Sequence, residues 1–236
     1  MQIILGYFIL IFICINKGGS MNTFYLVRHG QTVWNTLGQT QGHGNSPLTE
    51  LGKQQAKNLA EALREYPIDI IYCSDLGRAV ETANIIGEEL GLEINPTEAL
   101  REMGFGIWEG MPLKKIEKIY PETFKKWRDE PDKVHIEGGE TLSMIKERQD
   151  KLIEELNKKY KNKHILLVSH SVTVRVMLLS FLGSDVKNIY RIKQDNTALN
   201  IVEYRNYGPV IMKMNDTRHL KKDKTSGVNE STSALE

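Results

Sequence analysis

The chain has 236 residues, 40% of them hydrophobic and 26% charged, a composition typical of one globular α/β domain with a sizeable core. Its 31 lysines and arginines against 30 aspartates and glutamates leave a net charge of +1, so neither nucleic acid nor a stable membrane contact is expected, since both need clustered basic residues. Two cysteines, Cys14 and Cys73, are too few for a disulfide framework and favour a reduced, cytoplasmic setting.

The first segment, residues 1–20, contains an almost wholly apolar run at residues 3–15. The run is too short to cross a bilayer comfortably, and it has neither a positively charged start nor a small-residue cleavage site. Three interpretations are open: an export signal, a membrane-surface anchor, or a start codon assigned too early. We favour the third, because residues 17–19 can be encoded by a purine-rich stretch that resembles a ribosome-binding site, and Met21 follows at a suitable distance.

Three continuous apolar runs mark the strands of a single predicted domain over residues 21–220. Continuous runs, unlike alternating ones, are typical of strands buried on both faces, hence of a mainly parallel sheet covered by helices. Helical patterns follow the second and third runs, and two longer amphipathic helices are also predicted. In chain order, these are a strand at 24–27, a helix at 49–66, a strand at 68–73, a helix at 141–160 and a strand at 165–168.

The other segments complete a three-layer α/β/α sandwich. Residues 104–139, with several prolines and many charged residues, predict a helical cap inserted over the carboxyl ends of the strands. Alternating runs at residues 198–204 and 210–214 predict a hairpin at one edge of the sheet. Residues 221–236 are polar and lack periodic apolar positions, which predicts a disordered tail.

Polar residues follow each of the three strands. Arg28 and His29 end the first, Arg78 lies just beyond the second, and His170 follows the third. Ligands of an open α/β sheet gather beyond the carboxyl ends of the strands. Arg78 and His170 also lie near helix N-termini, where backbone N–H groups favour an anion. We therefore expect these four side chains to converge on an anion-binding pocket.

Such a set of side chains suits the transfer of a phosphoryl group. A neutral His29 imidazole can attack phosphorus, while arginine forks compensate the oxygens and disfavour protonation of the ring. His170 and the amide of Asn35 can donate to the same oxygens. Glu102 can protonate the leaving alkoxide and later activate water. This chemistry requires no metal and no other cofactor.

Each of these residues also has an ordinary alternative role. Taken alone, His170 suits a capping or core histidine, Arg78 a solvated charge and Glu102 a surface ion pair. A metal triad of His29, His170 and Glu102 lacks ligand-like spacing. Singly the ordinary roles are favoured, but together they require several coincidences at one edge of one sheet.

The motifs and their order resemble those of the histidine phosphatase superfamily, in its phosphoglycerate-mutase-like branch. The resemblance rests on residues 26–32 (LVRHGQT), 74–79 (SDLGRA), 100–102 (LRE) and 168–170 (VSH), and it extends from about residue 24 to residue 220. It implies a phosphoric monoester hydrolase acting on a small phosphorylated metabolite. We expect an enzyme of the histidine acid type.

The resemblance also implies roles for individual residues. Ser171 stands where the family usually has glycine, which alters the rim of the pocket. His219 resembles a late histidine that meets the substrate carboxylate in phosphoserine phosphatases, although similar endings occur in alpha-ribazole phosphatases. The other implied roles are a nucleophile, His29; a proton donor, Glu102; phosphate ligands, Arg28, Asn35, Arg78 and His170; and residues that border the substrate, Gln41 and Gly42.

Among members of the family, the chain is most similar to metal-independent phosphoserine phosphatases and alpha-ribazole phosphatases. Cofactor-dependent mutases carry longer insertions after the acid, whereas the segment after Gly104 is compact here, so a phosphatase is favoured. A phosphoglycerate mutase is one alternative. A non-catalytic module that binds phosphorylated ligands is another, and the intact His29 and Glu102 disfavour it. The oligomeric state, monomer or homodimer, is open.

Overall fold

A computed structural model describes residues 21–220 of the chain. The predictions made for residues 1–20 and 221–236 lie outside the described residues. Within residues 21–220, no helix combines the length and the apolar character needed to cross a membrane.

Within the described residues, a six-stranded sheet forms the centre of the molecule. In the order β3-β2-β4-β1-β5-β6, the first four strands run parallel and the last two form an antiparallel hairpin. This mainly parallel α/β architecture confirms the predicted fold class. The strands are β1 (Thr23–Arg28), β2 (Ile70–Ser74), β3 (Ile94–Thr97), β4 (His164–Ser169), β5 (Leu199–Arg205) and β6 (Gly208–Asp216).

Strands β1 and β4 lie in the middle of the sheet because their side chains are apolar on both faces. Every residue of β1 is buried, and so is every residue of β4 after His164. In the parallel register Arg28 lies opposite Ser169, so the two strands end at the same edge. His29 and His170, the residues that follow, are thereby brought side by side.

Helices cover both faces of the sheet. The second and third helices pack on one face through one buried apolar cluster, and the last two pack on the other face through a second cluster. The helices are α1 (Val33–Thr36), α2 (Glu50–Leu63), α3 (Gly77–Leu90), α4 (Leu113–Ile119), α5 (Pro121–Asp129), α6 (Leu142–Lys159) and α7 (Ser171–Phe181).

Threonine caps set the starts of the two long predicted helices. Thr49 Oγ1 accepts the Gly52 N–H at 2.9 Å, and Thr141 caps α6 in the same way. Such a bond satisfies one of the N–H groups that the first helical turn leaves without an intrahelical partner. Helix α2 ends at Leu63, earlier than the predicted residue 66, because Pro67 disfavours helical backbone in the residue before it.

The segment at residues 104–139 contains α4 and α5 and a cluster of aromatic side chains. The Trp127 ring packs edge-on against Phe105 at a centroid distance of 5.7 Å and against Trp108 at 6.5 Å. The Tyr190 hydroxyl donates to the Trp127 carbonyl at 3.0 Å, which ties this segment to the chain beyond α7. These contacts hold Phe105 in a fixed position beside the ends of the strands.

The sequence does not predict strand β3. Ile94 is its one aliphatic residue, and Pro96 has no N–H to give to a ladder. Such a strand is tolerated at the edge of a sheet, where it needs a partner on one side only. Here β2 provides that partner, with Cys73 opposite Pro96.

Candidate active site

A pocket opens at the carboxyl ends of the parallel strands. Arg28 is the last residue of β1, Arg78 lies in the first turn of α3, and His170 is the N-cap residue of α7. Arg28, His29, Arg78 and Glu102 line the pocket. The His170 ring lies beside the His29 ring, with a centroid distance of 5.1 Å. The structure therefore brings together all five side chains predicted to be catalytic.

The His29 ring is held in a single orientation by two contacts. Its Nδ1 lies 2.7 Å from the Gly30 carbonyl oxygen, and the Arg78 Nε–H points to its Nε2 at 3.3 Å. A carbonyl only accepts hydrogen bonds, so Nδ1 carries the ring proton and Nε2 keeps its lone pair. Burial, Arg78 and Arg28 together hold the pKa of His29 well below its ordinary value. The ring is therefore a neutral nucleophile at neutral pH.

Arg78 is oriented by the loop that follows α1. Its Nη2 donates to the Gly42 carbonyl at 2.7 Å and its Nη1 to the Gly44 carbonyl at 2.9 Å. Burial lowers the pKa of Arg78 to about 10, so the side chain is still a cation at neutral pH. Gly42 has a φ of +52°, a left-handed conformation that favours glycine. A Cβ there would also lie 2.1 Å from Glu109 Oε1.

Arg28 and His170 complete the cationic side of the pocket. The Arg28 Nη1 donates to the Gln194 carbonyl at 2.5 Å, and the residue is only 2% exposed. His170 is completely buried, and neither of its ring nitrogens has a hydrogen-bond partner among residues 21–220. Burial and Arg78 hold the pKa of His170 well below its ordinary value. A neutral His170 can donate one N–H to an oxygen of a bound anion.

Glu102 is positioned by the start of α7. Its Oε2 accepts the Val172 N–H at 3.2 Å, and its Oε1 accepts the N–H groups of Met103 and Thr173 at 3.0 and 3.2 Å. Backbone N–H groups at a helix N-terminus stabilise a carboxylate. The Glu102 carbonyl in turn accepts a hydrogen bond from Arg148 Nη2 at 3.1 Å. Both the side chain and the backbone of Glu102 are thus fixed at the pocket wall.

Four of the five predicted substrate-binding residues also line the pocket: Asn35, Gln41, Gly42 and Ser171. Asn35 Oδ1 accepts the Thr32 N–H at 3.0 Å, which turns its amide nitrogen to the opposite side as a donor. The fifth, His219, is not among the lining side chains. Its Nε2 lies 3.2 Å from Thr197 Oγ1.

Sequence reasoning missed Arg175 and Phe105, which also line the pocket. Arg175 is 2% exposed and lies on α7. Its position four residues after Ser171 places both on one face of the helix, a signal that the sequence already contained. No group of three or more His, Cys, Asp or Glu side chains within residues 21–220 is arranged to hold a metal ion.

A comparison with family models matches nearly the whole described chain. The model of the histidine phosphatase superfamily (branch 1) matches residues 24–217. Histidine acid phosphatases are a different family, so the expected acid type is not confirmed.

Comparisons with individual proteins find relatives that are named as phosphatases or as a phosphoglycerate mutase. The chain is 37% identical over 195 residues to phosphoserine phosphatase 1 of Hydrogenobacter thermophilus, covering 83% of this chain and 92% of the relative. It is 34% identical over 205 residues to the "Probable phosphoglycerate mutase GpmB" of Yersinia pestis, and the match covers 83% of this chain and 94% of that relative. The solved structure of the alpha-ribazole phosphatase of Shigella flexneri matches with a TM-score of 0.76 at 25% identity, and the match covers 83% of this chain and 96% of that one.

Proposed function

Because the chain belongs to the histidine phosphatase superfamily, branch 1, we propose that it hydrolyses small phosphomonoesters through a phosphohistidine formed on His29 Nε2. The single observation that carries this proposal is the orientation of the His29 ring. The bond between Nδ1 and the Gly30 carbonyl leaves the lone pair on Nε2, which lies in the pocket between the arginines and accepts the Arg78 Nε–H at 3.3 Å. A small phosphorylated metabolite is the partner proposed, and the cytoplasmic location stays a prediction.

In the first step, His29 Nε2 attacks phosphorus, and the bond from phosphorus to the ester oxygen breaks. Glu102 gives its proton to the departing oxygen, so the product is an alcohol. Arg28, Arg78 and His170 stabilise the charge that spreads over the three remaining phosphoryl oxygens. These arginine and histidine side chains neutralise the charge of the phosphoryl oxygens, so no metal takes part in the proposed reaction.

In the second step, water attacks the phosphohistidine. Glu102, now a carboxylate, takes a proton from the water as the bond between phosphorus and Nε2 breaks. Inorganic phosphate is released, and His29 returns to its neutral form with the proton still on Nδ1. The N–H groups at the start of α7 that hold Glu102 keep the carboxylate in place between its two tasks.

Phosphoserine is the substrate we favour. The support is the similarity to phosphoserine phosphatase 1, which is greater than the similarity to the alpha-ribazole phosphatase. A phosphoglycerate mutase is the second candidate, favoured by the similarity to GpmB. The two differ in the fate of the phosphoryl group, because a mutase returns it to the substrate and a phosphatase gives it to water.

Trapping the intermediate tests the mechanism. Brief incubation with labelled phosphoserine, followed by denaturation, should leave an acid-labile phosphate on the wild-type chain and none on His29→Ala. His164→Ala is the matched control, because that ring lies at the start of β4 beside the Tyr25 hydroxyl, 2.9 Å away, and should label normally. A chain that binds phosphomonoesters but neither labels nor hydrolyses them would be a binding module.

A second assay separates phosphatase from mutase. The chain is incubated with 3-phosphoglycerate and bisphosphoglycerate, and both inorganic phosphate and 2-phosphoglycerate are measured. We expect phosphate to form faster than the isomer. The reverse order would establish the mutase and refute the hydrolase.

A further inference from the structure

His43 connects the loop that holds Arg78 to the residue proposed as the proton donor. It lies between Gly42 and Gly44, whose carbonyls fix the Arg78 guanidinium. Its ring Nε2 lies 2.9 Å from the Glu102 carbonyl oxygen. A carbonyl only accepts hydrogen bonds, so Nε2 carries a proton and is the donor. The ring of one residue therefore joins the two sides of the pocket.

The carbonyl that His43 contacts belongs to a peptide unit that also contacts the Glu102 carboxylate. That unit contains the Glu102 carbonyl and the Met103 N–H, and this N–H donates to Glu102 Oε1 at 3.0 Å. A peptide unit is planar and rotates as a whole. A hydrogen bond that fixes the carbonyl therefore also fixes the N–H, and through the N–H it fixes the direction of the carboxylate.

Glu140 and Arg148 hold the same stretch of backbone. Arg148 Nη2 donates to the Glu102 carbonyl at 3.1 Å, and Glu140 Oε2 accepts the Gly104 N–H at 2.8 Å. Glu140 Oε2 also lies 3.6 Å from His43 Nε2. Burial would raise the pKa of Glu140, but His43, the Gly104 N–H and Arg148 together lower it to about 2. A carboxylate therefore faces the His43 ring at neutral pH and keeps its Nε2–H beside the Glu102 carbonyl.

The loop that holds Arg78 does not depend on the His43 ring. The loop is anchored by its backbone, because the His43 N–H donates to Glu109 Oε1 at 2.9 Å and the Gly44 N–H to the Gln41 carbonyl at 2.8 Å. A variant of the His43 side chain keeps both bonds. The side chain is also 39% exposed, so it can be replaced without opening the core.

We infer that His43 is a positioning residue for the proton transfer: its ring fixes the peptide unit between Glu102 and Met103 and so aims the Glu102 carboxyl group at the ester oxygen of the substrate. The inference rests on the proposed function, because it gives His43 a task only if Glu102 is the acid. His43 acts through Glu102 and not on the substrate.

Two esters that differ in their need for an acid test the inference. The alkoxide of an alkyl phosphate needs a proton to leave, whereas 4-nitrophenolate is a stable anion that leaves without one. The quantity measured is the ratio of kcat/KM for an alkyl ester, the faster of phosphoserine and glycerol phosphate, to kcat/KM for 4-nitrophenyl phosphate. Both values cover the steps up to cleavage of the ester bond, so the later attack of water does not enter the ratio.

His43→Phe keeps an aromatic ring but has no donor. In this variant the ratio should fall about tenfold, the effect of a slightly displaced catalytic group, which is less than the roughly 10²- to 10⁴-fold contribution of the acid itself. His43→Gln should restore most of the ratio, because its amide N–H can reach the same carbonyl. If His43→Phe does not fold, His43→Ala makes the same test.

His135→Phe is the matched control. His135 is an exposed histidine of the segment at residues 104–139, and its replacement should leave the ratio unchanged.

The outcomes separate this inference from the proposed function. The inference alone is overturned by an unchanged ratio in His43→Phe, by equal losses on both esters, which indicate a merely structural role, or by a His43→Gln ratio as low as that of His43→Phe. An unchanged ratio in Glu102→Gln shows that Glu102 is not the acid, and a wild-type chain that hydrolyses only the nitrophenyl ester shows that no acid acts. Both results overturn the inference and leave the phosphohistidine in place. A wild-type chain that neither labels nor hydrolyses any phosphomonoester overturns the proposed function as well.

Discussion

Removal of the Glu109 carboxylate should loosen the loop that holds Arg78. Glu109 Oε1 accepts the His43 N–H at 2.9 Å and the Phe105 N–H at 3.0 Å, so one oxygen joins the loop containing Gly42 to the cap. Hydrogen bonds to a charged group contribute about 1.5–3 kcal/mol each. Two of them give about 3–6 kcal/mol, and because Glu109 is only partly buried, we expect about half of that in Glu109→Ala.

This loss should appear in both stability and activity. For a domain of this size, a loss of about 1.5–3 kcal/mol in the free energy of unfolding lowers Tm by roughly 3–12 °C. The Gly42 and Gly44 carbonyls fix the Arg78 guanidinium, and in Glu109→Ala they become more mobile. A displaced guanidinium that binds the transition state about 1.4 kcal/mol less tightly lowers kcat/KM about tenfold.

Glu109→Gln separates the two hydrogen bonds from the charge. The amide oxygen can accept both N–H groups, so this variant should lose less than half as much as Glu109→Ala in Tm and in kcat/KM. Thermal melts and steady-state assays on one chromogenic phosphomonoester measure both quantities. Wild-type kcat/KM in Glu109→Ala, or equal losses in the two variants, would refute the reasoning.

Three further predictions concern the acid, the buried imidazoles and the loop glycine. Glu102→Gln should lower kcat about 10²- to 10⁴-fold while inorganic phosphate still binds, which steady-state kinetics and product inhibition measure; a smaller loss would assign the proton transfer to another group. The pKa values of His29 and His170 lie well below 6.5 in the folded chain, so below about pH 6.5 the unfolded chain binds more protons. The free energy of unfolding should therefore fall as the pH drops from about 6.5 to 5. His43 opposes part of this fall, because its pKa is raised by its hydrogen bond to a carboxylate. A Tm that rises over this pH range would contradict the assignment of His29 and His170 as buried neutral rings. Gly42→Ala should lower kcat/KM at least tenfold, because its Cβ collides with a carboxylate oxygen and its φ is strained; an unchanged rate would show that the loop adapts.

The sequence predicts much of the fold because long-range contacts here follow local patterns. The continuous apolar runs identify β1, β2 and β4, since strands buried on both faces need apolar residues at every position. Strand β3 escapes the same reasoning because its pairing is made by backbone groups and its side chains are partly or fully exposed. Its existence depends on the neighbouring strand β2.

In the candidate site, too, local sequence patterns indicate some residues and not others. His29 and His170 follow strand ends, so topology alone brings them together. Glu102 follows a short turn, and its carboxylate is positioned by N–H groups of α7 about seventy residues later, which no local pattern indicates. The family resemblance supplies it instead. Arg175 was missed because the apolar residues around it suggest a core helix, and His219 was expected in the pocket from the similarity of chain endings alone.

The way in which Arg78 is held explains how one pocket can both bind an anion and keep a histidine neutral. Its guanidinium donates to two backbone carbonyls, and among residues 21–220 no carboxylate forms an ion pair with it. Carbonyl partners satisfy the N–H groups but leave the positive charge in place. That charge lowers the pKa of His29 and remains available to phosphoryl oxygens. A carboxylate partner would cancel both effects, so the carbonyls of Gly42 and Gly44 are as necessary to the proposed chemistry as the guanidinium itself.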